Sequence, residues 1–257
     1  MSRDPTGNLM LWMAIMSIVG IVLFISGFFK LKRKKLIEST PTSKIRSLSM
    51  GLVEIYGEVI PITKNILISP FSKKNCVYYK YKIEELRRSG KHSKWVTVKF
   101  EEKQNLFYFK DETGIVLVDP AQAKVDIDTN FFVNSGMGKE PPENIKEFLR
   151  ANNIGFKGFL GINKAMRFSE KYIEPGEKLY IMGAAVDNPY VSEGTLTGTA
   201  DVMIGKSEYE KILLISDKQE KNIIKSLNKS INLYIYGGAF LSIICLTIFL
   251  YLLKQII

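Results

Sequence analysis

Two long uncharged segments constrain this sequence more than any other feature. Residues 9–29 and 233–253 each form a run of 21 residues without a charged side chain. Because a helix rises about 1.5 Å per residue, each run would extend about 30 Å, the thickness of the hydrocarbon core of a bilayer. The sequence therefore predicts two transmembrane helices, with a soluble domain at residues 38–230 between them.

Charged residues beside the two segments predict their orientation. A basic run at residues 30–37 follows the first segment and contains Lys30, Lys32, Arg33, Lys34 and Lys35. Before the second segment stand Lys218, Lys221, Lys225 and Lys229. Cytoplasmic flanks of membrane helices are rich in Lys and Arg. We therefore expect an integral, two-pass protein with a cytoplasmic central domain, and with the short ends 1–8 and 254–257 outside.

The basic run also predicts contact with lipid. Its five cations lie where anionic headgroups of the cytoplasmic leaflet would attract them. They supply half of the net charge of +10, so the remaining charge gives no reason to expect a nucleic-acid partner. The first segment is expected to remain as an anchor, because its apolar core is too long for a cleaved signal peptide.

Cysteine and histidine counts exclude several classes of site. The chain has two cysteines, Cys76 and Cys245, and a single histidine, His92. This excludes a disulfide framework and a structural zinc site, and it leaves little material for Cys-His or Ser-His catalysis. We predict no catalytic residue, no metal and no cofactor. A reactive Cys76 would need a nearby cation such as Lys74; a semi-buried structural thiol is the simpler interpretation.

Residue alternation predicts a β-rich central domain. Period-two patterns indicate strands at 53–59, 77–84, 95–101, 106–110, 115–118, 165–173 and 178–186, with two further strands at 195–204 and 211–215. In the third strand Val96, Val98 and Phe100 are expected on one face. One short helix is predicted near 141–152. Another begins after Ser216-Asp217 and either follows the membrane surface or continues into the second segment. The fold class is α+β with β dominant, an antiparallel barrel or sandwich, and an OB-like barrel is one alternative.

Several short sequence motifs occur in a fixed order along the chain. They are TPTSKIR at 40–46, GLVE at 51–54, GEV at 57–59, CVYYKY at 76–81, Trp95, FYFKDETG at 107–114, VLVDP at 116–120, EPGE at 174–177 and ISDKQE at 215–220. In this order they resemble the GIDE domain, also called the beside-a-membrane (BAM) domain. The resemblance implies a domain between two transmembrane helices, as in mitochondria-anchored RING ubiquitin ligases. Residues 187–206 match none of these motifs.

The resemblance does not extend to a RING. That module binds zinc through eight Cys or His ligands, and this sequence contains three such residues in all. Only residues 254–257 follow the second segment. We therefore do not expect intrinsic ligase activity, although the family name implies a ubiquitin-transferase role.

Three aromatic residues are the candidate partner-binding site. Tyr78, Trp95 and Tyr108 are expected on or near outward strand faces, where they would either contact a partner or simply pack. Two glycine-rich stretches, 135–139 and 155–161, invite comparison with phosphate-binding loops, but neither fits the motif, so ordinary loops are expected. Gly238 and Ser242 form either a helix-pairing face or a flexible point in the second segment.

These patterns favour a membrane-tethered, non-enzymatic binding or scaffold module that recruits a protein partner at the cytoplasmic membrane surface. The alternatives are a ubiquitin-transferase-related role and an anionic-lipid sensor. Homo-oligomerisation stays open at this point.

Overall fold

The computed structural model describes residues 5–63, 66–90, 92–190, 201–207, 212–218 and 220–255. The chain forms two units, one from Met1–Pro41 with Gln219–Ile257 and the other from Thr42–Lys218. The helices are α1 (Pro5–Ser39), α2 (Glu143–Ala151) and α3 (Glu220–Lys254). The strands are β1 (Gly51–Pro61), β2 (Leu67–Ile68), β3 (Asn75–Cys76), β4 (Tyr78–Ser89), β5 (His92–Gln104), β6 (Phe107–Lys110), β7 (Ile115–Val118), β8 (Lys124–Asp126), β9 (Phe131–Ser135), β10 (Met166–Ile173), β11 (Lys178–Asp187), β12 (Val202–Gly205) and β13 (Leu214–Ser216).

The first unit is a pair of long helices. Both α1 and α3 contain 35 residues and are long and apolar enough to cross a membrane, which fits a two-pass membrane protein. Helix α1 continues without a break through the basic run. Helix α3 likewise begins well before residue 233, so the polar segment that precedes the second apolar run continues into it as one helix.

Small residues allow α1 and α3 to approach closely. A Cβ atom built on Gly20 would lie 2.7 Å from the backbone nitrogen of Ser242, and one on Gly238 would lie 2.6 Å from that of Phe24. Farther along α1, Gly27 faces Ile235. Residues later in α1 contact residues earlier in α3, so the two helices pack antiparallel. Of the two interpretations of Gly238 and Ser242, the structure supports the helix-pairing face.

The second unit is built around a five-stranded barrel. Strands follow one another in the order β1, β6, β7, β12 and β11, and pairing of β1 with β11 closes the ring. All neighbours are antiparallel except β7 and β12. Inward-facing apolar side chains such as Ile55, Phe107 and Ile181 fill the interior. The β-dominant α+β fold and its barrel architecture are thus confirmed.

A four-stranded antiparallel sheet forms a second layer. Its order is β5, β4, β10 and β9, and α2 packs on one of its faces. Strands β4 and β5 come from the connection between barrel strands β1 and β6. Strands β9 and β10, with α2, come from the connection between β7 and β11. The sheet therefore joins two segments inserted into the barrel.

A β-bulge corrects one prediction about β5. Ile83 pairs with Lys99 and Glu84 pairs with Thr97, so Val98 is an extra residue in the ladder. Such a bulge shifts the alternation of side chains by one position. As a result, Val96 and Val98 lie towards α2 whereas Phe100 points to the opposite face. Of the predicted strand at 195–204, residues 195–200 lie outside the described part of the chain.

The EPGE motif at 174–177 forms the predicted turn between β10 and β11, with Gly176 at a φ of +84°. Burial raises the pKa of the Glu177 carboxyl; the backbone N–H of Glu174 opposes this, and the charges of Asp217 and Glu174 reinforce it. The folded state therefore holds this proton more tightly than the unfolded state. The Glu177 carboxyl therefore contributes less to stability as the pH rises from its pKa in the unfolded chain through its higher pKa in the folded domain.

We therefore expect Glu177→Gln to raise the melting temperature at pH 7.5 more than at pH 4. The glutamine is always neutral, and its carbonyl can still accept the Glu174 N–H, at present 3.1 Å from the carboxylate. Thermal unfolding at the two pH values measures the difference. Glu147→Gln removes the same charge from the exposed face of α2 and serves as the control. An equal change at both pH values would contradict this interpretation of Glu177.

Candidate functional site

The face of the four-stranded sheet opposite α2 carries the best candidate site. Paired residues of neighbouring strands point to the same side of a sheet. Through the pairs Leu86–Trp95, Glu84–Arg167, Lys82–Phe100 and Ser169–Phe132, the register places one set of side chains together. We call this set the outer face: Lys82, Glu84, Leu86, Trp95, Thr97, Phe100, Phe132, Asn134, Arg167 and Ser169.

Large apolar groups on the outer face are open to solvent within their own unit. Phe100 is 50% exposed and Phe132 is 57% exposed, one on each edge strand of the sheet. Leu86 is also exposed. Bulky side chains at these positions are not needed for the core, which lies on the other face with α2. Exposed apolar side chains grouped on one face make it a candidate interaction surface.

A stacked cation orders the centre of this face. The guanidinium carbon of Arg167 lies 3.7 Å from the centre of the Trp95 ring, a close cation–π contact. Lys82 pairs with Glu84 at 2.9 Å. Two residues before Lys82 on β4, the ammonium of Lys80 lies 5.1 Å from the centre of the Phe100 ring and 3.0 Å from the Glu102 carboxylate. The site thus combines aromatic rings with cations that ring contacts and ion pairs hold in place.

Tyr78 does not belong to the exposed surface, and its predicted outward position is wrong. It has the same strand parity as Lys80 and Lys82, but it lies at the end of β4 where the barrel core covers the sheet. Its side chain is 1% exposed, and its hydroxyl donates a hydrogen bond to Glu102 at 2.7 Å. Burial, followed by the hydrogen bond and the charge of Glu102, raises the pKa of Tyr78.

The other two aromatic candidates lie in different sheets. Trp95 is half-buried on β5, under Arg167. Tyr108 lies on barrel strand β6, paired with Ile60 and Leu117, and its ring is exposed as expected. The structure therefore does not gather the three predicted residues into one site. It groups Trp95 instead with Leu86, Phe100, Phe132 and Arg167, which the sequence analysis did not select.

The family model described as "GIDE: E3 Ubiquitin ligase" matches residues 78–250, two thirds of the chain. This chain belongs to the GIDE family. No curated protein and no solved structure matches it. The GIDE match begins at the first residue of β4 and includes all four strands of the sheet that bears the outer face. The resemblance to the GIDE domain that was inferred from the short sequence motifs is thereby confirmed.

Other potential reactive groups in this GIDE protein have structural roles. Cys76 is fully buried, and burial, together with the charges of Glu170 and Glu174, raises the pKa of its thiol to about 12. It is therefore protonated at neutral pH and is a poor nucleophile. Among the residues that the structure describes, no cluster of His, Cys, Asp and Glu could hold a metal ion.

The FYFKDETG motif at 107–114 forms strand β6 and the turn that leads into β7. Asp111 accepts hydrogen bonds from the backbone N–H groups of Ile45, Thr113 and Gly114. Burial alone would raise the pKa of this carboxyl, but these bonds outweigh it, and the pKa is lowered. The ionised side chain thus ties the segment before β1 to the hairpin of β6 and β7.

The five cations of the basic run lie on the last three turns of α1. The ammonium of Lys30 sits 3.5 Å from the centre of the Tyr234 ring, which links α1 to α3 at this level. Lys34 pairs with Glu38 at 3.4 Å, one helical turn later. Lys32 and Lys35 are exposed, and Arg33 is half-buried. A continuous helix therefore presents these charges on more than one side.

Proposed function

We propose that this GIDE protein recruits a protein partner through the outer face of its four-stranded sheet, at the cytoplasmic surface of a membrane. The observation that carries the proposal is the exposure of Phe100 and Phe132 around the ordered Trp95–Arg167 pair. Aromatic residues and arginine are enriched among the residues that dominate binding energy at protein interfaces. A sheet face holds them rigidly, so little conformational entropy is lost on binding.

The proposed partner has an apolar centre and acidic groups at its edge. Phe100, Phe132 and Leu86 would contact the apolar part. Arg167 and Lys82 would meet carboxylates, which would favour correct partners and speed encounter through complementary charge. The exposed Tyr108 lies on another sheet, and the proposed contact with this partner does not include it.

Membrane attachment would make a modest interaction effective. With both helices inserted, the positive-inside pattern would put the domain in the cytoplasm and both termini outside. The basic run would hold anionic headgroups beside α1. Confinement to a surface raises the effective concentration of a partner in the same membrane, so weak contacts can give stable association. This is how a scaffold without catalytic residues would act.

The family description also supports a second candidate, a role in ubiquitin transfer. The two cysteines and one histidine of this sequence cannot supply the eight ligands of a RING. In this candidate the chain would bind a ubiquitin ligase or its substrate rather than transfer ubiquitin itself. The same outer face would then carry the interaction, and identification of the partner distinguishes the two cases.

Photo-crosslinking from Phe100 in native membranes tests the proposal. A photoreactive phenylalanine analogue replaces Phe100 in the full chain, and a matched chain carries it at Tyr108. We expect discrete protein adducts from position 100 that differ from those of position 108. Adding Phe132→Ala and Arg167→Ala should reduce these adducts at least about tenfold, because two hot-spot residues commonly contribute more than about 1.4 kcal/mol together.

Three outcomes would count against protein recruitment. Identical adducts from positions 100 and 108 would indicate random collision. Adducts unaffected by Phe132→Ala and Arg167→Ala would show that the outer face is not the contact. Adducts made of lipid alone would favour the anionic-lipid sensor. Limited proteolysis of each variant checks that the domain is folded.

A further inference from the structure

Two tight turns at one end of the four-stranded sheet carry exposed apolar side chains. The first follows β9, where Gly136 bridges to Lys139 and Met137 is 85% exposed. The second follows α2, where Lys157 bridges to Asn163 and the N–H of Gly158 donates to the carbonyl of Ile162 at 2.7 Å. At its end Leu160 is 81% exposed, and Ile162 is exposed as well. We call Met137, Leu160 and Ile162, with Lys139, Lys157 and Lys164, the two-turn tip.

Direct contacts place the two turns side by side. The hydroxyl of Ser135 donates to the carbonyl of Lys164, at 3.2 Å. A Cβ on Gly136 would lie 3.9 Å from the Cα of Ala165. The N–H of Leu86, near the end of β4, donates to the carbonyl of Ala165 at 2.9 Å. Both turns therefore project from the end of the sheet at which the β4–β5 hairpin also ends.

The backbone of the second turn holds a leucine in an unfavourable conformation. Leu160 has a φ of +58°, in the left-handed region that residues with a Cβ rarely adopt, and it precedes Gly161 at +75°. This positive φ belongs to the tight turn that the Gly158–Ile162 hydrogen bond closes, and the turn holds the Leu160 side chain out in solvent.

Cations surround the apolar side chains. Lys139 and Lys157 are exposed, and none of the carboxylates in the described part of the chain lies within ion-pair distance of either. The neighbouring Glu140 pairs instead with Lys146 at 2.6 Å. Lys164 pairs with Glu85 at 3.3 Å. The tip is thus apolar at its extremity and basic around its base.

We infer that the two-turn tip inserts into the headgroup region of an anionic lipid bilayer. Apolar side chains would enter the acyl boundary while the lysines meet lipid phosphates, as in amphipathic membrane-surface segments. A protein interface would need a contiguous, complementary surface of about 1,000 Å² or more. Side chains that project singly from two narrow turns are better suited to a fluid interface, which accommodates each one independently.

A fluorescent label at residue 160 tests this inference on the full chain. Leu160→Cys is labelled with an environment-sensitive dye after reconstitution into nanodiscs, and the parent chain, whose Cys76 and Cys245 are buried, gives the labelling background. We expect a blue shift and at least about a twofold rise in intensity in discs with anionic lipid, and neither in zwitterionic discs. A shift that appears only when protein-free anionic vesicles are added would identify a second bilayer as the target. An unchanged spectrum in every arm would overturn the inference.

Charge removal provides an independent readout. Lys139→Gln and Lys157→Gln should each weaken the lipid-dependent response about fivefold, because a cation near an anionic surface contributes about that factor. Lys110→Gln, an exposed lysine on barrel strand β6, is the matched control and should have no effect. Equal effects of all three substitutions would show a general charge effect and reject the two-turn tip as the contact.

Discussion

Replacing Phe71 with alanine is expected to lower the free energy of unfolding of the β-rich domain by about 4 kcal/mol. Phe71 is completely buried between the sheet and α2. Its ring centre lies 5.1 Å from those of both Tyr81 and Phe148, so it joins the two layers. Alanine would leave a cavity at this junction and remove these aromatic contacts. Loss of a buried phenylalanine typically costs about 3–5 kcal/mol.

Denaturant titration of the full chain in detergent, followed by tryptophan fluorescence, measures this change. Phe100→Ala is the matched control, because the same side chain is lost from an exposed position on the sheet against which Phe71 packs. We expect its effect on stability to stay within about 0.5 kcal/mol. Comparable destabilisation by both variants would mean that the outer face is structural, which would also weaken its assignment as a binding surface.

Replacing Gly238 with alanine is the second large effect that we expect. A Cβ at this position would lie 2.6 Å from the backbone nitrogen of Phe24 and 2.8 Å from the carbonyl oxygen of Gly20. These are backbone atoms, so no side-chain rotation relieves the contact, and α1 and α3 must move apart. Overpacking of this kind costs about 1–3 kcal/mol, and we expect the upper part of that range.

The adjacent residue is a strict control for Gly238→Ala. A Cβ at Gly237 would meet only the Cδ1 atom of Leu233, at 3.8 Å, an ordinary contact. Gly237→Ala changes helix propensity and apolar surface in the same way without the clash. Thermal denaturation in detergent should show a clear loss of stability for position 238 alone. Equal melting temperatures for the two variants would disprove close packing at Gly238.

Elements that depend on local pattern could be predicted from the sequence. Alternation at 53–59 identified β1 because successive residues of a strand face opposite sides of its sheet. Uncharged runs identified the spans of α1 and α3, since helix length and bilayer thickness set the number of residues. Turn chemistry identified both the 111–114 hairpin and the 174–177 turn, where Gly176 adopts a positive φ.

Features that depend on distant residues could not be predicted in the same way. Tyr78 follows the outward alternation, yet barrel strands far along the chain bury it. The extra residue at Val98 reverses the side taken by Phe100, and no local signal marks that bulge. Arg167 and Phe132 join Trp95 only because β10 and β9 pair beside β4. The candidate site is therefore a product of long-range strand pairing between two insertions.

The antiparallel arrangement of α1 and α3 has a consequence for folding thermodynamics. The end of α1 and the start of α3 lie at the same end of the helix pair, so residues Thr42–Lys218 form a loop whose ends are held together. Closing a loop of this length removes conformational entropy from the unfolded chain, worth up to about 5 kcal/mol for a rigid closure. The paired helices α1 and α3 thus act as a non-covalent cross-link between the two ends of this loop. A substitution in α3 that separates them, such as Gly238→Ala, would destabilise strands as far away in sequence as β1 (Gly51–Pro61).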